Sequence, residues 1–167
     1  MAMDNDDVVS VLNNLIETCE DGVKGFRDAA DAIGNPRAKQ VFDTRIEYIE
    51  RAESDLKAAV RRLGGDPEDR GSATGAIHRG WLNLKAAITG KDDEAIVAEC
   101  ERGENAAVDR YEDALEKDLP PEIRQLVDKQ YRGTLQNRDR VRELHQTMKG
   151  GAMGRTTARD REAPPPI

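Results

Sequence analysis

The three residues Gly34-Asn35-Pro36 separate two long runs of helical periodicity. Before them, Val8, Val11, Leu12, Leu15, Ile16, Cys19, Val23, Phe26, Ala30 and Ile33 recur in steps of threes and fours, the spacing of one helix face. After them come Ala38, Val41, Phe42, Ile46, Ile49, Ala52, Leu56, Ala59, Val60 and Leu63 with the same period. Glycine suits the end of one helix, asparagine the cap of the next, and proline its first position. A link this short forces the two helices to run antiparallel. The sequence therefore predicts a helical hairpin over residues 4–33 and 36–63, with Asp4, Asn5, Asp6 and Asp7 offering the first cap.

A second hairpin follows the same logic. Residues 92–117 carry Val97, Cys100, Ala107, Val108, Tyr111, Ala114 and Leu115 on one face. Leu119-Pro120-Pro121 breaks this helix, and residues 122–148 carry Ile123, Leu126, Val127, Val141, Leu144 and Met148. Between the hairpins, residues 64–91 are too long for a tight turn. Ser72 can cap a short helix from Ala73 to Ile88, with Ile77, Trp81, Leu84 and Ile88 on one face. Trp81 reads as the anchor of this crossover, and His78 beside it as a minor candidate metal ligand. The expectation is an all-α four-helix bundle over residues 4–148, with a long crossover carrying a short helix, and a flexible C-terminal tail over 149–167. Aromatic residues at 4% and charged residues at 35% suit charged-faced helices and argue against a β-sandwich.

Polar residues interrupt all four apolar rows at one height. Glu104 stands in the third row, one turn from Cys100 and one from Val108, and a buried unpaired carboxylate is costly. Counting back from each turn brings Glu20 level with Glu50 and Glu53, and Glu104 level with Thr134, flanked by Gln130 and Asn137. Arg45 shares a side of its helix with Val41, Phe42 and Ala52. Two readings follow. Glu20, Glu50, Glu53 and Glu104 hold a metal, iron or manganese, whose charge relieves their repulsion. Alternatively Arg45 neutralises the acids, and Gln130, Thr134 and Asn137 complete a polar layer by hydrogen bonding.

Several stretches carry a family resemblance: Leu12-Asn13-Asn14-Leu15-Ile16-Glu17-Thr18, Asp21-Gly22-Val23-Lys24-Gly25-Phe26 and Arg61-Arg62-Leu63-Gly64-Gly65. His78-Arg79-Gly80-Trp81-Leu82-Asn83-Leu84-Lys85, Glu101-Arg102-Gly103-Glu104, Tyr111 and Leu119-Pro120-Pro121-Glu122 add to them. Across residues 8–144 the chain resembles a bacterial family of small ferritin-like four-helix-bundle proteins catalogued as a domain of unknown function. The resemblance implies a ferritin-like fold. In di-iron members of that wider fold, helices one and three each give a Glu, and helices two and four each give Glu-x-x-His. Glu20 and Glu104 can stand at the first two positions. Glu50-Arg51-Ala52-Glu53 has Glu for His, and Thr134-Leu135-Gln136-Asn137 has neither ligand.

The remaining features set the function classes. Net charge is −7, which gives no field to attract nucleic acid. No apolar run approaches membrane-spanning length, and the N-terminus lacks the pattern of a signal peptide, so the expected place is the cytoplasm. Cys19 and Cys100 lie on apolar rows and read as buried reduced thiols, with an inter-helix disulfide as the other option. No nucleophile–base pair, phosphate-cradling glycine loop or zinc-type spacing occurs. The reading is a structural or stress-associated bundle protein without robust catalysis that forms a homo-oligomer and has a degenerate metal site. The alternatives are a carboxylate-bound iron or manganese oxidoreductase of ferroxidase type, and a protein-interaction module using Trp81 or the tail.

Overall fold

A computed structural model describes residues 3–68 and 80–161, with side chains through residue 150. Five helices follow in order: α1 Asn5–Ala32, α2 Pro36–Arg62, α3 Leu84–Thr89, α4 Asp93–Leu115 and α5 Pro121–Arg161. No strand occurs among the described residues. The four long helices form the expected bundle. α1 pairs with α2 and α4 with α5, and the two hairpins meet through α1–α4 and α2–α5 contacts. The short α3 packs on α4 and α1.

Local chemistry sets the ends. Asp4 caps α1 by accepting the Asp7 amide at 2.8 Å, which satisfies one donor of the first turn. The Asn35 side chain caps α2, accepting the amides of Arg37 at 3.0 Å and Ala38 at 3.1 Å, and Pro36 takes the first helical position. The hairpin turn is tied to the second half of the bundle. Asp93, at the start of α4, accepts the amides of Gly34 at 3.0 Å and Asn35 at 2.9 Å. α2 stops at Gly64, whose φ of 79° lies in the left-handed region that glycine enters without steric cost.

The rows fill the centre. Val8, Leu12, Leu15, Ile16, Phe26, Phe42, Leu56, Val60, Ile96, Val97 and Val127 are buried, and Phe26 meets Phe42 at 5.5 Å between ring centroids. Burying one such side chain stabilises by about 1.5–3 kcal/mol. No helix of the described residues is long and apolar enough to cross a membrane.

Two expectations change. The crossover helix placed at Ala73–Ile88 begins later: Gly80-Trp81 form a 3₁₀ turn, and regular α-helix covers only Leu84–Thr89. Ser72, Ala73, Ile77 and His78 lie outside the described residues. The fourth long helix was expected to end at Met148, yet the backbone stays helical through Gly150 and Gly151 to Arg161. A glycine in a helix interior costs about 1 kcal/mol against alanine, which is a penalty and not a prohibition.

Candidate functional site at the polar centre

Arg45 on α2 and Glu104 on α4 face each other across the core. The Arg45 Nε donates to Glu104 Oε1 at 2.9 Å and its second guanidinium nitrogen to Oε2 at 3.1 Å. This fork-on-fork geometry is the strong form of an ion pair, fixing direction as well as charge. Arg45 is 5% exposed and Glu104 2%. The same guanidinium reaches Thr134 Oγ1 on α5 at 3.3 Å and lies 5.3 Å from the centre of the Tyr48 ring. Burial pushes the Glu104 carboxyl above its usual range, and Arg45 and Asn137 oppose that rise.

A chain of hydrogen bonds runs on from this pair. Thr134 Oγ1 donates to the Gln130 carbonyl at 2.9 Å, which satisfies its hydroxyl without leaving the helix. The Tyr111 hydroxyl donates to Gln130 Oε1 at 2.9 Å, and Gln130 Nε2 donates to the Ala52 carbonyl at 3.1 Å. With its proton so committed, the Tyr111 oxygen is left to accept from the Cys19 thiol, 3.8 Å away. Burial pushes the Cys19 thiol up to about 12 and the Tyr111 phenol well above its usual range. Burial does the same to Cys100, with the Glu104 charge adding to it. Both cysteines are free and buried.

A cavity of about 30 Å³ lies against Cys19, Arg45, Glu104, Tyr111 and Thr134. That is room for one or two water molecules. Trp81 closes one side of it. The indole lies between Gly25 on α1 and Gly103 on α4, and a Cβ at either glycine would meet it closer than 3.0 Å. It also meets the Phe26 ring edge-on at 5.1 Å. Two helices thus give up side chains at one height to admit the anchor of the crossover.

The four candidate metal carboxylates do not converge. Glu104 is taken by Arg45. Glu50 is half-exposed and pairs with Arg27 at 2.7 Å. Glu53 pairs with Lys57 at 2.9 Å, and Glu20 lies 3.9 Å from the same ammonium. Lys57 therefore stands where two of the acids approach each other, and its hydrogen bond to Glu53, with the charge of the nearby acids, holds its pKa up. Among the described residues no group of three or more His, Cys, Asp or Glu side chains is placed to hold a metal ion. The donor set implied by the ferritin-like resemblance does not fit a di-iron centre here, since cationic side chains stand beside each acid.

Three buried polar groups escape a reading of bundle periodicity: Asn13, Glu17 and Glu99. Two of them face the crossover. Asn13 Nδ2 donates to the Asp66 carbonyl at 3.1 Å, and Glu99 accepts the Asn83 amide at 3.3 Å and pairs with Arg102. Glu17 stands one turn along α1 from Asn13. His145 is a further surprise: it bonds Glu101 at 2.9 Å and lies 3.8 Å from Glu94, and Arg142 bonds Glu101 at 3.1 Å. This clasp fastens α5 to α4 above the polar centre.

The model of a family described as a domain of unknown function (DUF2383) matches residues 7–117. The chain belongs to that family. The matched span holds Glu20, Arg45, Glu50, Glu53 and Glu104, while the α5 members of the polar centre follow it. No curated protein matches this DUF2383 chain in sequence. Its fold is shared with a two-domain protein of Anabaena variabilis containing DJ-1/ThiJ/PfpI-like and ferritin-like domains, at TM-score 0.74 and 14% identity, over 99% of this chain and 41% of that one. The chain thus spans well under half of that protein. It is also similar to a mutant of Dps1 from Mycobacterium smegmatis, at TM-score 0.66 and 16% identity, over 84% of this chain and 96% of that one. Identities this low speak for the fold alone, and that fold is ferritin-like.

Proposed function

We propose that this DUF2383 chain is a non-catalytic ferritin-like bundle, a self-associating structural or stress-associated protein of the cytoplasm. In it Arg45 supplies the positive charge that a cation supplies in carboxylate metal bundles. The observation that carries the reading is the bidentate Arg45–Glu104 pair, with both partners almost wholly buried. A guanidinium on both carboxylate oxygens already neutralises Glu104, and its positive charge repels a cation brought to the same carboxylate. The high-lying Cys19 and Tyr111 protons support the same reading, because neither group is poised to give up a proton near neutral pH.

Metal content tests it. Native protein exposed anaerobically to Fe(II) or Mn(II) and then desalted is expected to carry no stoichiometric metal. One or two equivalents retained by the wild type, and lost in Glu104→Gln, would establish the iron or manganese oxidoreductase reading instead.

A further inference from the structure

Among the described residues one large apolar side chain is exposed, Leu82 at 70%. A single exposed leucine is ordinary. Its position is not. Leu82 stands at the rim of a groove of about 590 Å³ between α1 and α3, with Gly25, Trp81, Leu84 and Ile88 along it. A protruding apolar knob and an apolar hole of more than its size lie side by side on one face.

The charges around the groove choose the occupant. Asp21, Lys24 and Asp28 come from α1 and Lys85 from α3. Lys24, Asp28 and Lys85 are exposed. Two acids and two bases make this rim neutral on a chain of net charge −7. Two copies repel each other over most of their surface, and here they can meet with opposite charges opposed. A two-fold contact sets one patch against itself, so the patch must be self-complementary in shape and charge. A partner of one sign would call for a patch of the other sign, which this is not.

We infer that the α1–α3 groove is the contact face of a two-fold homodimer, with the Leu82 side chain of each copy seated in the groove of the other. The inference rests on the reading that the chain self-associates, and it names the surface. Trp81, the only tryptophan of the chain, lines this groove, so its fluorescence reports on the face directly.

Sedimentation velocity of the full chain over a dilution series, read beside acrylamide quenching of Trp81, tests the inference. Wild type is expected to sediment as a dimer that dissociates on dilution, with Trp81 becoming more quenchable as it does. Leu82→Lys is expected to raise the dissociation constant by about tenfold or more, since one well-seated side chain commonly carries that much. Its monomer should melt as the wild-type monomer does, because the leucine is already in water. Lys85→Glu, an exposed change that makes the rim acidic, should weaken the dimer in the same direction and carries the test if Leu82→Lys misfolds. A dimer unaffected by either variant, or dissociation without any change in Trp81 quenching, places the contact elsewhere and overturns the inference. A wild type that stays monomeric overturns self-association itself.

Discussion

The Arg45 guanidinium bonds both oxygens of the Glu104 carboxylate, and both side chains are buried in the centre of the bundle. Around it the layer is closed by α5. Thr134 bonds Arg45, and Gln130 ties Tyr111 of α4 to the α2 backbone at Ala52. Three helices are therefore keyed to one another by directional bonds, whereas apolar rows alone would tolerate sliding by a turn. Directional bonds of this kind contribute to a unique register more than to net stability.

Glu101 and Glu104 stand three residues apart on α4 and should respond to acid in opposite directions. Burial raises Glu101, but bonds from His145 and Arg142 outweigh it and hold the carboxyl below its usual 4.5. Its contribution is present above 4.5 and lost as pH falls through the lower folded value. Burial lifts Glu104 above 4.5. Its contribution is complete below 4.5 and lost as pH rises through the higher folded value. Denaturant unfolding from pH 3 to 8 checks this by difference. The stability gap between wild type and Glu101→Gln should shrink on acidification, and the gap between wild type and Glu104→Gln should widen.

Gly103→Ala should destabilise the bundle although alanine is the better helix former by about 1 kcal/mol. The new methyl would overlap the Trp81 indole, and overpacking of this kind costs about 1–3 kcal/mol. A second change, Trp81→Leu, should remove the clash, so the double variant loses less than the sum of the two single losses. Thermal melts of the four proteins measure this, and strict additivity would mean that the indole does not lie against Gly103.

Neither thiol should react in the folded state. Cys19 is held at about 12 and Cys100 well above its usual range, both by burial. A thiol-specific disulfide reagent at pH 8 is expected to titrate no thiol in native protein and both after unfolding. Rapid native labelling of Cys19 would show that its bond to Tyr111 opens easily.

The helices were plain in the sequence because each apolar row meets the core on one face, and because Asp4, Asn35 and Pro36 mark ends by local chemistry. The height of the polar layer was also readable, since short turns let residues be counted back from each hairpin. Which bases Glu20, Glu50 and Glu53 meet was not. Glu20 sits at the border of its row and Glu53 stands on its row between Ile49 and Leu56, yet both meet the half-buried Lys57 instead of the centre. Asn13 and Glu99 were missed because they are buried by the crossover, whose path has no periodic signal. Tyr111 and Cys19 lie on apolar rows and in the core, but the phenol hydroxyl also needs partners there.

The most direct measurement of the central claim, that Arg45 is the counter-charge of Glu104, is a double-mutant cycle on equilibrium unfolding with Arg45→Met and Glu104→Leu. Each single change strands a buried charge, and the expected loss is about 3–5 kcal/mol. The double change removes both charges and should cost less than either single one. Two additive small losses, or an Arg45→Met protein as stable as the wild type, would contradict the pairing.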